Sequence, residues 1–433
     1  MKQIIAIAVA GLMTCLPAVQ AEYTETMDPN GLTMNAGSDF GLKNDGAKVD
    51  QSATLQQAID ALAEKGGGRL IVPKGTYGFK SIKLRSNIHL LIEKDTVIKP
   101  DWPEGEKIVV FSIDAERPSG RNISEKDESA YIENVSIRGL GGPFIVDYSG
   151  NERSKGEGSR AVLAKMVKNF LIENMDIQDN YTTYCGITLA PLQTDTDISK
   201  WTVSRATDGT IRNCRIFNAS PGYGLTQLHG AQSVHFENLY ADGGVTLRME
   251  TGAIGPNTAI YDITGKNIVS ENGRCAVMMG PHSAQNGLVQ IEQVKSIGSS
   301  FAVMLGSGHV KKGQLKKYPD SKPGCFAEGS YVKDIHVVFG RKAQVKGQII
   351  MEIPQAYYPD MNLRWENKFF EAPSIGAVRD GSEGAFDVRF ENITMEGFRY
   401  NADKPILTKD DARPGSPWPE LDKWKKKYGH ASN

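Results

Sequence analysis

One short phrase keeps returning along the chain. It reads "YIENVSIRG" at 131, "FLIENMDIQD" at 170, "TIRNCRIFN" at 210, "HFENLYADG" at 235, "ITGKNIVSENG" at 263, "LVQIEQVKSIG" at 288, "YVKDIHVVFG" at 331 and "VRFENITMEG" at 388. Each copy is a β-rich run with Asn, Gln or Asp near its centre and a turn at its end. Taking that central residue as a marker at 134, 174, 213, 238, 267 and 293, successive copies lie 40, 39, 25, 29 and 26 residues apart. A period in the twenties, stretched where loops are inserted, belongs to a stacked solenoid, because a single unit of that length cannot bury its apolar face alone. The copies alternate Val, Ile, Phe and Tyr with polar residues and carry Gly and Asn at the corners, without the 3.6-residue stripes of helical repeats. The expected fold is therefore all-β, a parallel β-helix. Its Asn markers are assigned to turns and to amide ladders running from coil to coil.

An open solenoid end must be covered. Residues 53 to 64 of "ATLQQAIDALAEKGGGRLIVPKGTY" give an amphipathic helix with Leu55, Ile59 and Leu62 on one stripe and three glycines as its stop. The strands "RLIVP" and "IHLLIE" follow. This arrangement resembles the N-terminal cap of pectate-lyase-type proteins, and the resemblance implies a right-handed parallel β-helix with an N-terminal helical cap.

The first 21 residues, "MKQIIAIAVAGLMTCLPAVQA", have the charged start, apolar middle and small-residue end of a secretory signal, so a periplasmic or secreted protein beginning near Glu22 is expected. Cys15 leaves lipid attachment as a minority alternative. Residues 22 to 400 are read as one catalytic β-helix domain and 401 to 433 as a C-terminal tail. The basic stretch 309 to 330 is read as solvated surface. With 50 Lys and Arg against 51 Asp and Glu, nothing pulls the whole chain toward nucleic acid or membrane, and a monomer is expected. After signal cleavage Cys185, Cys214, Cys275 and Cys325 remain. Their spacing fits no zinc pattern, and buried free thiols are favoured over disulfides.

Three neighbouring segments concentrate polar chemistry. They are "YGLTQLHGAQSVHFEN" with Gln227 and His229, "GGVTLRMETG" with Arg248 and Glu250, and "ENGRCAVMMGPHSAQNG" with Arg274, His282 and Asn286. Aligned on their Gly-rich turns, the last two set Val245 over Cys275, Leu247 over Val277 and Met249 over Met279. Period-2 alternation then gathers the polar residues on one outer face. Arg248 and Arg274 suit bidentate contact with oxyanions, although solvated charge is nearly as good an account of them. For Glu250 the bland alternative is an exposed ion pair with Arg248.

The run from Tyr223 to Gly287 resembles the iota-carrageenase family of glycoside hydrolases (glycoside hydrolase family 82), within the pectate-lyase-like β-helix superfamily. "YGLTQ", "LRMETG" and "GPHSAQNG" stand where that family has a Tyr-Gly-x-x-Gln segment, a Leu-Arg-Met-Glu-Thr-Asp strand and a Gly-Pro-His turn closing on Asn-Gly. The resemblance implies a hydrolase that cleaves β-1,4 links of a sulfated galactan with inversion, with an anionic polysaccharide as its partner. It matches Glu250 to the proton donor and Gln227 and His282 to positions that place substrate or water. His229, Arg248, Arg274 and Asn286 join Gln227 as candidate substrate contacts. No cofactor is required for such chemistry, and the family resemblance implies a structural cation, Ca²⁺ or Na⁺.

Inversion needs an acid and a water-activating base roughly 6.5 to 9.5 Å apart. The family's base is an Asp two residues after the acid, and this chain has Gly252 there. His282, one coil up and two residues along, is expected roughly 8 Å away and is the candidate base. Two other readings stay open. One is a polysaccharide lyase acting on a uronate-containing glycan through an Arg base, and the other is a glycan-binding β-helix that has lost catalysis.

Overall fold

The computed structural model describes residues 22–414 except 104, 118–119, 151–157, 194–203, 256–257 and 365–368, together with residue 426. The signal-sequence reading of residues 1 to 21 lies outside the described residues.

The strands stack in parallel in the order the repeats run. Val167–Gln178 pairs with Ala206–Leu228, which pairs with Ala231–Glu250, then Ile260–Glu271, Val289–Ile297, Tyr331–Val338 and Arg389–Glu396. Because the register is kept from coil to coil, each inward position becomes a file through the core. One file reads Ile172, Ile211, Phe236, Gly265, Ile291, Val332 and Phe390. Its complementarity is visible in the sequence order. A Cβ on Gly265 would sit 2.9 Å from Ile291 Cδ1, so the smallest residue lies where Phe236 and Ile291 fill the layer. Each fully buried Ile or Phe in such a file contributes about 1.5–3 kcal/mol.

The corners explain the Asn markers, and they split into two files. Asn87, Asn134, Asn169, Asp208, Ser233 and Asp262 all have φ between 52° and 61°, and so do Asn174, Asn213, Asn238, Asn267, Gln293, Asp334 and Asn392 in the second file. Asn tolerates this left-handed region better than other side-chain-bearing residues. Its amide then reaches the coil before. Asn134 donates to Asn87 (3.1 Å), Asn169 to Asn134 (2.8 Å), Asn238 to Asn213 (3.0 Å), Asn267 to Asn238 (2.9 Å) and Asn392 to Asp334 (2.8 Å). The expected marker series is corrected at its start. Asn134 continues into Asn169, whereas Asn174 sits over Gly139, whose carbonyl it binds. The two corners are five residues apart in one strand, and similar phrases at both blurred the count.

The helix Ser52–Glu64 caps the N-terminal end, with Leu55, Ala58, Ile59 and Leu62 buried. The glycines that stop it have φ of 94°, 106° and 143°, and a Cβ on Gly67 would lie 2.4 Å from Asn87. No side chain fits that turn.

Three expectations change. The polypeptide from 401 is not a separate tail at its start, since Ile406–Leu407 pairs with Val378–Asp380 and Leu407 is buried. The 309–330 loop is not free surface. It contains a short helix, Lys312–Lys317, and Gln314 Nε2 donates to Ser283 Oγ at 2.7 Å. Finally, Val245 and Cys275 do not join the main core. They belong to a second apolar cluster with Phe301, Met304, Ile349, Ile350 and Phe370, formed where residues 343–361 and 370–372 pack against the coils. A three-stranded antiparallel sheet anchors that segment. The four cysteines are free, and burial pushes the Cys185 thiol up to about 11 and those of Cys214 and Cys275 to about 12.

The ladder makes a clean test. Asn267→Ala loses both the amide bond and tolerance of φ 57° and is expected to cost about 2–3 kcal/mol, whereas Asn267→Gly loses only the bond and costs about 1 kcal/mol. Urea unfolding of the two variants would show this order. Equal losses would mean that the corner conformation contributes nothing.

Candidate active site

The strand Ala231–Glu250 turns a corner at Gly243 and Gly244 (φ 78° and 62°) and ends at Glu250. Beyond the corner Leu247 and Met249 enter the main core, so Thr246, Arg248 and Glu250 point the other way. The next coil follows the expected register, with Val245 against Cys275, Leu247 against Val277, Met249 against Met279 and Glu250 against Gly280. On the preceding side Gln227 lies against Arg248 and Thr188 against Gln227.

Four side chains converge on Glu250. Gln227 Nε2 donates to Oε2 at 2.8 Å, Arg248 Nη2 pairs with Oε1 at 2.7 Å, and His282 Nε2 stands 3.7 Å from Oε1, an ion-pair distance too long for a hydrogen bond. His229 Nδ1 lies 2.8 Å from the Glu250 backbone carbonyl, which can only accept, so Nδ1 carries the hydrogen. Burial lowers the basicity of His229 and keeps it neutral. Burial also opposes the charge on Glu250, but the neighbouring His282, Arg248 and His229 outweigh it and hold the carboxyl at about 2. In the free protein Glu250 is therefore a carboxylate.

His282 departs most from expectation. Its φ of 45° folds the ring back after Pro281, and its carbonyl accepts from His309 N (2.6 Å) and Gly324 N (2.7 Å). The ring packs on His309 with centroids 4.8 Å apart, and Nδ1 is buried without a partner. A base across the substrate was expected roughly 8 Å from Glu250. The structure instead brings Nε2 to 3.7 Å, which leaves no room for a water between the two groups. His282 is a partner of Glu250 here and not its opposite.

Position 252 is closed. Gly252 has φ 68°, its N–H is taken by Thr258, and a Cβ would lie 2.7 Å from Ser283 N and 2.9 Å from both Ala284 N and Ser283 Oγ. Backbone occupies the space a carboxylate would need.

Arg274 is half-buried, its Nε has no partner, and burial lowers its pKa. Arg248, Arg379 and Glu250 all act on it electrostatically. Arg379 is neutralised by Glu352 at 2.7 Å, but Arg274 has no carboxylate partner among the described residues. Asn286, a candidate sugar contact, serves the backbone instead. It accepts from Ile260 N and donates to the carbonyls of Ala284 and Cys325, which leaves it a latch for the 281–286 turn.

Sequence reading missed Arg160, Tyr184 and His309. Arg160 sits on a coil that lacks the recurring phrase, and His309 lies in a loop whose lysines read as surface. Among the described residues no three His, Cys, Asp or Glu side chains converge as a metal-ligand set, and no step below passes through a cation.

No protein-family model matches the chain. An iota-carrageenase of Alteromonas macleodii is 34% identical over 279 residues, 63% of this chain and 52% of the relative. Another, from Zobellia galactanivorans, is 37% identical over 287 residues, 64% of this chain and 53% of the relative. Over those stretches the chain is similar to the iota-carrageenases. It spans about half the length of the curated relatives it matches. Among solved structures, a 1,3-α-1,4-β-D-galactose-4-sulfate-3,6-anhydro-D-galactose-2-sulfate 4-galactohydrolase superposes with a TM-score of 0.76 at 28% identity, covering 91% of this chain and 94% of that one. An iota-carrageenase complexed to iota-carrageenan fragments superposes at 0.72 with 25% identity and the same coverage.

Two outcomes follow for this site. Gly252→Asp is expected to add no activity and to destabilise by about 2–3 kcal/mol through overpacking against the 283–284 backbone, read by thermal unfolding. For Glu250, a native pKa of about 2 against an unfolded value of 4.5 is depressed, so its stabilising contribution is full above pH 4.5 and is lost as pH falls toward 2. The wild-type advantage over Glu250→Gln, at most roughly 3 kcal/mol at neutral pH, should shrink across that window in denaturant titrations.

Proposed function

We propose that the chain is a glycoside hydrolase that cleaves β-1,4 links of a sulfated, carrageenan-type galactan with inversion, Glu250 acting as general acid. One observation carries the proposal. Among the described residues a single carboxylate, Glu250, sits with two guanidinium groups, the buried Arg248 and the half-buried Arg274, that outnumber it on the outer face of a β-helix. Such a surplus of buried cations has few uses other than holding an anion. Two similar solved structures, a galactohydrolase acting on alternating sulfated units and an enzyme complexed to iota-carrageenan fragments, support the substrate class.

The acid must be loaded before it can donate. His282 and Arg248 together keep Glu250 ionised in the free protein, yet Arg248 Nε and Nη1 are buried and unpartnered. A substrate sulfate that engages Arg248 draws it from Glu250 and adds negative charge nearby, and both changes raise the carboxyl's affinity for a proton. Glu250 then protonates the leaving glycosidic oxygen as the C–O bond breaks, while water attacks the anomeric carbon from the opposite face and releases its proton to bulk solvent. Gln227, whose amide N–H₂ is held on Glu250, can orient that water through its carbonyl oxygen but cannot take its proton. His282 can return a proton to Glu250 from 3.7 Å.

The experiment incubates purified protein with carrageenans, other red-algal galactans and pectins while following new reducing ends and unsaturated-uronate absorbance. Reducing ends from a sulfated galactan without unsaturation, lost about 10²–10⁴-fold in Glu250→Gln, are the expected result. Full activity in that variant would remove Glu250 as the acid, and unsaturated products would replace hydrolysis with elimination. The blocked position 252 and the ionised Glu250 also suit a protein that binds the polymer without cutting it. Tight binding with no turnover across the panel would establish that reading. If Arg248 helps set the charge of Glu250, Arg248→Met should shift the alkaline limb of the kcat/KM profile to higher pH, because the free-enzyme carboxyl then loses its cation and stays protonated, and so competent as the acid, to higher pH.

A further inference from the structure

A second charged feature lies on the same face, toward the N-terminal cap. Arg160, in the strand Gly158–Lys165, donates from Nε to Thr188 Oγ1 at 3.1 Å, and Thr188 is the register neighbour of Gln227, which binds Glu250. Its guanidinium lies 3.7 Å from the centre of the Tyr184 ring. Tyr184 meets Tyr223 edge-on at 5.9 Å, and Arg248 lies 5.5 Å from the centre of the Tyr223 ring. Two cations thus flank two aromatic rings in one chain of contacts, Arg160, Tyr184, Tyr223, Arg248, ending at Glu250.

Two details separate Arg160 from an ordinary surface arginine. It is half-buried, its charge is opposed by that burial, and the groups that act on it are tyrosines and Cys185, with no carboxylate among them. In addition, Tyr184 has φ 87°, a conformation that is costly for a bulky side chain, and in that conformation its ring lies over the guanidinium. A cation held in place by local strain, partly desolvated and lacking a counter-charge among the described residues, is poised for an anion that arrives from outside.

We propose that Arg160, with Tyr184 and Tyr223, forms a remote subsite that binds a sulfate group of the polymer and a sugar face beside it. Thr188 and Arg248 are two coils apart, so this subsite lies on the order of 10 Å from the cleavage point. It engages a different sulfate from the one that meets Arg248. The two together read the spacing of charge along the chain, so that a galactan sulfated on successive residues is held at both points and a sparsely sulfated one at only one. This rests on the polyanion reading of the groove.

The test measures KM and kcat, and separately the equilibrium binding of each polymer, for wild type, Arg160→Met and Arg160→Lys. The probes are galactans carrying two, one or no sulfates per disaccharide. Arg160→Met is expected to raise KM and Kd for the doubly sulfated chain about tenfold, with a much smaller change on the unsulfated one and a shallower dependence of binding on salt, while Arg160→Lys recovers part of the loss. Equal losses on all three polymers, or a loss confined to kcat, would overturn the subsite. Wild-type binding that depends on Arg160 without any turnover would support the subsite while defeating the hydrolase reading. Wild-type failure to bind any sulfated galactan would defeat both. Arg160→Met that fails to fold leaves Arg160→Lys to decide, since lysine keeps the charge but not the bidentate, stacked geometry: undiminished binding by that variant would remove the guanidinium from the argument.

Discussion

Everything in this molecule depends on the register between stacked strands. Side chains alternate faces with a period of two, so a slip of one residue would exchange Leu247 and Met249 for Arg248 and Glu250 and bury the charges in the core. What prevents the slip is the corner. Asn238 holds its left-handed φ and is bonded to Asn213 below and Asn267 above, only a few residues before the strand turns toward Glu250. A ladder of amides on one side of the solenoid thus sets where the carboxylate lies on the other. The chemistry rests on a structural repeat that touches no substrate.

The site's electrostatics follow from burial without neutrality. Arg379 is matched by Glu352 and contributes no excess charge, whereas Arg274 and Arg160 have no acidic partner among the described residues and Arg248 shares Glu250 with Gln227 and His282. Burying an unmatched guanidinium is costly and has to be offset by the packing of the coils around it. On the function proposed above, that cost falls when a polyanion enters, which would couple affinity to the groups that keep Glu250 ionised. Loss of the anion would restore the Arg248 contact and with it the ionised carboxylate.

Much of this was legible in the residues alone, for identifiable reasons. The stacked fold followed from the repeat because coil spacing is a one-dimensional property, and the pairing of 245–249 with 275–279 followed from aligning Gly-rich turns. The cap helix was readable from a single stripe and three glycines. What could not be read were the properties that depend on where a chain turns back. Asn134 and Asn174 look alike in sequence, but they occupy different corners, and only the pairing of 168 with 133 and of 173 with 212 tells them apart. Arg160 became visible only through Tyr184, a neighbour whose positive φ no propensity would suggest. Asn286 was misjudged because a motif residue can serve its own turn as readily as a ligand.

The departure at Gly252 and the inward fold of His282 are one structural event. The turn 281–284 lies against Gly252, with Ser283 and Ala284 backbone nitrogens where a Cβ would project. That turn is pinned in place from outside. His282 O accepts from His309 N and Gly324 N, Ala284 O accepts from Cys325 N, and Gln314 reaches Ser283 Oγ, so the loop of residues 309 to 325 clamps it at four points. With an Asp at 252 the turn would have to lift, and His282, whose position is set by the same carbonyl bonds, would lift with it. Glycine at 252 allows the turn to settle, and settling carries the imidazole to the carboxylate of Glu250. The second carboxylate is missing because its volume is filled by the segment that delivers His282, and the lysine-bearing loop that resembles plain surface in the sequence is what holds that segment there.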